Sequence, residues 1–135
     1  MSTNIEIVRN WYEVPNRESL APNAEWLITE SFPAGGRYVG VIAIFEEFFP
    51  QLHSYFTTWE SKVSEMLDAG DYVVTLGDYT GRSKLTGTAF TCPFVHIWKL
   101  SNGKIVQFRQ SADTLTIAQV LSANTITPSI TQFTT

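Results

Sequence analysis

Apolar residues recur at helical spacing near the start of the chain. These residues are Ile5, Val8, Trp11 and Tyr12. Positions three and four residues apart lie on one face of a helix, so the spacing predicts an amphipathic helix. Thr3 followed by Glu6 has the spacing of a capping box, in which each side chain binds a free backbone N–H of the first turn. Pro15 should end this helix, because proline has no N–H to donate and its ring clashes with the preceding turn.

Two further helices are predicted before the pattern changes. A weaker one spans residues 17–21. A stronger one begins after Gly40, with Glu46 and Glu47 on its polar side. Its apolar face consists of Val41, Ile44, Phe45, Phe48, Phe49 and Leu52. We interpret this aromatic stripe as core. Between the two helices, the stretch EWLITESFPAGGRY predicts a short strand that runs into a turn.

From Tyr55 onward the chain has the alternating and β-branched residues that are typical of strands. Four stretches qualify: FTTWESKVSEML, YVVTLGDYT, TAFTCPFVHIWKL and KIVQFRQSA. Asn102 and Gly103 join the last two, and Asn-Gly is a strong hairpin signal. A short helix over DTLTIAQVLS follows. Helices followed by consecutive antiparallel strands predict an α+β fold, in which a curved sheet folded over the helices leaves a cavity at its open end.

The chain of 135 residues has the length of one domain. A domain of that size buries roughly two-thirds of its unfolded surface. We assign residues 1–122 to this domain. Residues 123–135 form a Thr-rich tail without charged side chains, to which we assign no role. The apolar content of 44% and aromatic content of 13% argue against disorder.

Charge and cysteine usage narrow the function classes. The net charge is −4 without a basic cluster, so we expect no nucleic-acid partner. Cys92 is the only cysteine, so no intramolecular disulfide can form. The chain shows no signal-peptide pattern and no apolar run of about 20 residues, so we expect a cytoplasmic protein without a membrane partner. It has no phosphate-binding loop and only two histidines with scattered carboxylates, so we expect no cofactor and no metal.

The predicted closing hairpin places His96 in the middle of an aromatic and aliphatic strand. With Asn102 and Gly103 as a two-residue loop, the register puts His96 opposite Arg109. Alternation then gives one face that mixes aromatic and polar groups, as ligand pockets do. That face contains Phe90, Cys92, Phe94, His96, Trp98, Gln107, Arg109, Ser111 and Asp113. The opposite, apolar face contains Val95, Ile97, Val106 and Phe108, with Lys99 and Gln110 near its ends.

Each candidate on the mixed face also has a purely structural interpretation. His96 could be a buried histidine whose hydrogen bonds are satisfied and which has no further role. Asp113 directly precedes the last helix, where aspartate is a favoured N-cap, so capping and chemistry stay equally open. Arg109 could be a solvated cross-strand neighbour. Cys92 fits a small buried hydrophobe better than a reactive thiol.

The stretch FVHIWKLSNGKIVQFRQSADT resembles the closing hairpin of SnoaL-like proteins in the nuclear transport factor 2-like superfamily. The shared features are the His-x-Trp pair, the NG turn followed by KIV, and Asp-Thr before the last helix. NAEWLITESFPAGGRYVGVIAIFEEFF resembles that family's strand, loop and third helix. The resemblance implies a cone-shaped α+β fold, in which a strongly bent antiparallel sheet wraps around three N-terminal helices and a short C-terminal helix follows. It also implies a homodimer through the outer face of the sheet.

The resemblance further implies a deep apolar pocket with a few acid–base groups, as in polyketide cyclases and ketosteroid isomerases of this superfamily. His96 falls at or near the position of the oxyanion-hole aspartate of the isomerases. Asp113 resembles the acid–base aspartate of SnoaL-type cyclases, and Tyr12 the first-helix tyrosine that donates to an enolate. The chain departs from the isomerases at their general base, whose position falls near Ile28; the nearest acid is Glu30.

We therefore expect a site for a small apolar molecule between the first helix, the strand around Trp26 and the closing hairpin. In the leading hypothesis Asp113 moves a proton next to a carbonyl group, while His96 and Tyr12 donate to the developing oxyanion. The expected ligand-binding residues are Trp26, Glu30, Phe94, Trp98, Arg109 and Ser111. Two other functions stay open: binding of a small apolar ligand without catalysis, and a dimeric scaffold. We interpret His53 as a surface or interface residue.

Overall fold

Six strands form one sheet in the computed structural model, which describes residues 2–122. The strands are β1 (Leu20–Ile28), β2 (Gly36–Val39), β3 (Phe56–Ala69), β4 (Tyr72–Ser83), β5 (Ala89–Ser101) and β6 (Lys104–Ala112). Their order across the sheet is β2-β1-β6-β5-β4-β3, so β2 and β3 form its two edges and the sheet does not close. All neighbours are antiparallel except β1 and β6, which pair in parallel, so the sheet is mixed. The predicted α+β cone is confirmed.

Helical segments pack against one face of this sheet. They are α1 (Asn4–Glu13), a 3₁₀ turn (Arg17–Ser19), a π-helical segment (Ala43–Phe48) continued by α2 (Phe49–His53), and α3 (Thr114–Leu121). The helix expected after Gly40 is therefore present. Its π winding lies immediately before Pro50, which has no N–H to donate to the turn before it.

The N-terminus of α1 has the predicted capping box. The hydroxyl of Thr3 accepts a hydrogen bond from the Glu6 N–H at 3.2 Å, and the Glu6 carboxylate accepts one from the Thr3 N–H at 3.0 Å. The helix ends at Glu13, two residues before Pro15. The buried face presents Trp11 to the sheet.

The helix predicted over residues 17–21 is wrong. Only Arg17–Ser19 form a single 3₁₀ turn, and Leu20 already pairs with Ile105 of β6. Leu20 is buried in this pairing, and a weak local helical preference is readily outweighed by such a tertiary contact. Pro22, which cannot donate within a helix, belongs to the strand that follows.

The β5–β6 hairpin contains a bulge that the predicted register does not include. Leu100 pairs with Ile105 as expected, but Lys99 pairs with Gln107. Val106 is therefore an extra residue in β6, without a partner of its own in β5. Because side chains alternate along a strand, a shift of one residue moves every later residue of β6 to the other face.

This shift reverses the predicted faces of β6. His96 pairs with Gln110 and not with Arg109. Phe108 and Gln110 are buried on the inner face, whereas Arg109 and Ser111 are exposed on the outer face. The predicted placement of Arg109 and Ser111 beside His96 is therefore wrong, as is the predicted placement of Phe108 and Gln110 on the face opposite His96.

Gly77 marks a close approach between β4 and β3. A Cβ atom at this position would lie 2.2 Å from the backbone oxygen of Lys62 and 2.8 Å from Cζ of Phe94, so only glycine fits. The pairing of β3 with β4 also shifts register between Val63 and Glu65. Such irregularities bend a strand and increase its twist. The bend helps the sheet to curl over the helices.

The Thr-rich tail, residues 123–135, lies outside the described residues, so the proposed division at residue 122 stays a prediction. Between residues 2 and 122, no helix has the length and apolar character needed to cross a membrane.

Candidate functional site

A cavity of about 520 Å³ lies between the helices and the inner face of the sheet. Its wall is mainly aromatic and includes all four tryptophans of the chain. Main contributors to the aromatic wall are Trp11, Trp26, Phe49, Trp59, Trp98 and Phe108. Polar groups enter this wall at Tyr12, Tyr79, His96 and Gln110. We call this space the His96 cavity.

His96 lies inside β5 with its imidazole on the cavity wall and 3% of its surface exposed. Its Nδ1 atom is hydrogen-bonded to the hydroxyl of Tyr12. Its Nε2 atom lies 2.5 Å from Oη of Tyr79. The ring of Phe94 stacks on the imidazole at a centroid distance of 3.9 Å. Two hydroxyls and one aromatic ring therefore hold the imidazole in place.

The network continues beyond Tyr12 to β4. Oη of Tyr12 lies 2.6 Å from Oγ1 of Thr75. The indole N–H of Trp98 reaches both oxygens, at 3.2 Å from Oη of Tyr12 and 3.3 Å from Oγ1 of Thr75. Thr75 pairs with His96 across the two strands, so both side chains face inward. Tyr12 reaches them from the last turn of α1.

The network also continues beyond Tyr79 to β6 and to Thr29, the residue that follows β1. Nε2 of Gln110 donates to Oη of Tyr79 at 3.2 Å, and Oε1 of Gln110 accepts from the backbone N–H of Thr29 at 3.2 Å. Gln110 faces inward only because of the bulge at Val106. Among the described residues, every buried side-chain nitrogen or oxygen has a hydrogen-bond partner.

Burial keeps this network uncharged near neutral pH. Loss of hydration lowers the pKa of His96 well below its ordinary value, and no carboxylate in residues 2–122 forms an ion pair with the imidazole. The same loss of hydration raises the pKa of Tyr12 and of Tyr79 above the ordinary value of 10. His96 is therefore a neutral imidazole, which donates at one ring nitrogen and accepts at the other.

Asp113 does not reach the cavity. Its carboxylate accepts hydrogen bonds from the N–H of Thr116 at 3.1 Å and from the Thr116 hydroxyl at 2.7 Å, and it caps α3. These hydrogen bonds lower the pKa of the exposed Asp113 side chain. Of the two interpretations of Asp113, capping and acid–base chemistry, the structure shows the cap. Cys92 is fully buried behind it and donates to the backbone oxygen of Asp113 at 3.3 Å.

The residues predicted to bind a ligand divide into three groups. Trp26 and Trp98 line the cavity. Phe94 is buried behind the imidazole rather than on the wall. The third group is exposed and lies outside the cavity: Glu30, Arg109 and Ser111. The bulge in β6 turns Arg109 and Ser111 away from the cavity. Glu30 lies in the turn after β1, where its side chain faces solvent.

The wall also contains polar residues that were not among the predicted site residues, including Tyr79, Gln110 and His53. Tyr79 could have been found from YVVTLGDYT, because alternation puts it on the same face as Thr75. Gln110 gave no signal, since the register without the bulge put it on the face opposite His96. His53, predicted as a surface or interface residue, lines the cavity while remaining largely exposed, and partial burial lowers its pKa.

The site offers hydrogen bonds and aromatic surface rather than charge. Glu60 is the one carboxylate residue on the wall in the described part of the chain, and its side chain is 66% exposed. Residues 2–122 contain no group of three or more His, Cys, Asp and Glu side chains placed to hold a metal ion. The structure therefore identifies a neutral polar network within an aromatic cavity.

A six-stranded open sheet curled over helices, with a cavity on its inner side, defines the nuclear transport factor 2-like class, and solved structures of that class are similar to this chain. An NTF2-like protein of Burkholderia thailandensis E264 is 33% identical over 90% of this chain and 99% of its own, with a TM-score of 0.84. TerC, co-crystallised with polyporic acid, is 26% identical over 89% and 98%, with a TM-score of 0.79. A protein of Jannaschia sp. CCS1 described as a SnoaL-like polyketide cyclase is 21% identical over 90% and 92%, with a TM-score of 0.77, and shows the fold alone.

The sequence also matches a family model directly. Residues 16–108 match the SnoaL-like domain. No curated protein matches the chain at a significant level. The chain belongs to the SnoaL-like family, as the hairpin motif predicted.

Proposed function

We propose that this protein binds a small, largely aromatic carbonyl compound in the His96 cavity and promotes cofactor-free isomerisation, cyclisation or elimination of that compound. The observation that carries the proposal is the neutral imidazole of His96, held between the hydroxyls of Tyr12 and Tyr79 in an aromatic cavity. The cavity of about 520 Å³ has room for a ligand of two or three rings. The co-crystallisation of TerC with polyporic acid supports a small-molecule ligand.

The proposed chemistry is stabilisation of negative charge on the ligand's oxygen. When a proton next to a carbonyl group moves, the oxygen gains charge, and hydrogen-bond donors fixed in a dry site stabilise that charge by a few kcal/mol. His96 and Tyr12 act in that stabilisation through the row of hydrogen bonds that reaches the cavity at the hydroxyl of Tyr79. Asp113 does not, because its carboxylate caps α3 outside the cavity. Both ring nitrogens of His96 are already hydrogen-bonded, so in this proposal the proton goes to Glu60, the one carboxylate on the cavity wall among the described residues.

A second candidate is binding without catalysis. The described residues place no buried carboxylate on the cavity wall, and Glu60 faces solvent at its rim. An aromatic wall with a few fixed polar groups is sufficient for specific binding. The two candidates share the site and differ only in whether a proton leaves the ligand.

The test separates the two candidates. Purified protein is titrated with aromatic ketones and with polyporic acid, and intrinsic fluorescence is followed, because every tryptophan lies on the cavity wall. Exchange of the protons next to the carbonyl group is then measured by NMR in D₂O. Saturable binding with exchange above background supports catalysis, and saturable binding without exchange supports a binding protein. Absence of both for every compound would contradict the proposal.

We also propose that two copies pair through the outer face of the sheet. Exposed or half-exposed apolar side chains from β3, β4 and β5 cluster there, at Leu67, Val74, Leu76, Val95 and Ile97. Contiguous apolar patches of this kind are typical of protein–protein contacts. A scaffold role would use this face alone and leave the cavity without a ligand. A cytoplasmic location stays part of the proposal.

A further inference from the structure

The polar network of the His96 cavity has one hydrogen more than its internal contacts can use. Four groups follow one another in a row: Thr75, Tyr12, His96 and Tyr79. Each hydroxyl carries one polar hydrogen, and so does a neutral imidazole. Three contacts join the four groups, and each contact uses one hydrogen. One hydrogen therefore remains at one end of the row, and the end is set by which ring nitrogen of His96 is protonated.

A proton on Nδ1 of His96 would leave the surplus hydrogen on Thr75. In that arrangement His96 donates to Tyr12, Tyr12 donates to Thr75, and Tyr79 donates to Nε2. The Thr75 side chain is fully buried and does not line the cavity. Its hydroxyl has no acceptor among the described residues other than Oη of Tyr12, which would already be donating to it. A buried donor without an acceptor is unfavourable.

A proton on Nε2 of His96 leaves the surplus hydrogen on Tyr79. Thr75 then donates to Tyr12, Tyr12 donates to Nδ1, and Nε2–H donates to Oη of Tyr79. The surplus hydrogen lies on a hydroxyl of the cavity wall, where water or a ligand can accept it. Oη of Tyr79 accepts from both His96 and Gln110 in this arrangement, so the hydroxyl can only donate further.

We propose that His96 is the Nε2–H tautomer and that the network directs its surplus hydrogen into the cavity from Tyr79, so that the bound molecule presents a hydrogen-bond acceptor to this hydroxyl. Gln110 strengthens the preference, because one N–H of its amide binds Tyr79 and the second adds a donor at the same place. Ketone, quinone and phenolate oxygens meet the requirement. The assignment of the ligand atom rests on the proposed function, whereas the tautomer does not.

The first measurement is the tautomer of His96 in the unliganded wild-type protein. A long-range ¹H–¹⁵N NMR spectrum distinguishes the two ring nitrogens, and His53→Gln removes the only other histidine from it. We expect a protonated Nε2 and an unprotonated Nδ1. A protonated Nδ1 would overturn the proposal, whether or not any ligand binds.

The second measurement compares fluorenone with fluorene, which has the same ring system without the carbonyl oxygen. Their dissociation constants are measured by calorimetry for wild type, Tyr79→Phe and the control Tyr38→Phe. We expect Tyr79→Phe to weaken fluorenone binding about five- to tenfold and to leave fluorene binding within about twofold. Retained fluorene binding also shows that the variant is folded. Tyr38→Phe removes a hydroxyl that donates to the backbone oxygen of Ala34 and does not line the cavity, so it should leave the ratio of the two constants unchanged.

The outcomes separate this proposal from the proposed function. Equal weakening of fluorenone and fluorene by Tyr79→Phe would overturn the role of its hydroxyl as donor. If the wild type bound neither these two compounds nor any of the aromatic ketones and polyporic acid, the proposed function would fail, and the tautomer measurement alone would decide the direction of the network.

Discussion

Oη of Tyr79 lies 2.5 Å from Nε2 of His96, although the two residues are 17 positions apart and belong to neighbouring strands. Tyr12 approaches the other ring nitrogen from α1, across 84 positions of sequence. The imidazole is therefore fixed by two elements that pack together only in the folded protein. Stability, protonation and ligand binding should all respond to changes at His96.

The free energy of unfolding should depend on pH through His96. Burial lowers the pKa of His96 in the folded protein, whereas the unfolded chain has the ordinary value of about 6.5. Below that pH the unfolded chain binds a proton that the folded protein does not, so stability falls as pH decreases, by up to about 1.4 kcal/mol per pH unit. Above that pH the contribution is fully retained. Urea unfolding between pH 7.5 and 5.5 measures the slope.

The matched variants for this prediction are His96→Gln and His53→Gln. His96→Gln should remove most of the slope, and His53→Gln should leave most of it, because His53 remains largely exposed. An unchanged slope in His96→Gln would mean that His96 is not the group that titrates.

Consecutive residues of β6 should differ sharply in their effect on stability. Phe108 is buried, with its ring centroid 4.4 Å from that of Trp26 and 4.5 Å from that of Trp98, whereas Arg109 is exposed. Phe108→Ala should therefore lower the free energy of unfolding by about 3–5 kcal/mol. Arg109→Ala should change it by less than about 0.5 kcal/mol. Denaturant titration of both variants is the measurement, and the reverse order would show that β6 has the register without the bulge.

Asp113 should affect the last helix and not the cavity. Asp113→Ala removes the N-cap of α3 and should lower Tm by about 3 °C, while Asp113→Asn keeps a capping oxygen and should lower it less. Neither variant should change the affinity for fluorenone or the tautomer of His96. Calorimetry of melting and binding checks both statements. Loss of ligand exchange or affinity in the well-folded Asp113→Asn would restore the catalytic role expected from the sequence.

A charge on the outer face of the sheet should separate the proposed dimer. Val95 is 36% exposed and lies opposite Leu76 on that face. Val95→Lys should convert a dimer into a monomer, because an ammonium group buried in an apolar contact is strongly unfavourable. Leu85→Lys changes an exposed apolar residue in the turn after β4 and serves as control. Sedimentation equilibrium measures the mass of each; a monomeric wild type would refute the pairing of copies.

Local features of the fold followed from the sequence. The capping box at Thr3 and Glu6 depends on atoms three residues apart, and the hairpin turn at Asn102 and Gly103 depends on two residues that accept positive φ. The SnoaL-like motif extended these local signals to the whole cone. Tyr12 and His96 could be assigned to one site because the resemblance to ketosteroid isomerases implies a role for both there.

The tertiary structure decided which polar groups face the cavity. The bulge at Val106 places Phe108 against the indoles of both Trp26 and Trp98, and the same shift brings Gln110 to Tyr79. No residue near position 106 signals this bulge, because the gain arises from aromatic burial against strands and helices that are distant in sequence. Sequence by itself determined the elements, their turns and the residue at the centre of the site. Strand register, which depends on packing across the whole sheet, determined that residue's partners.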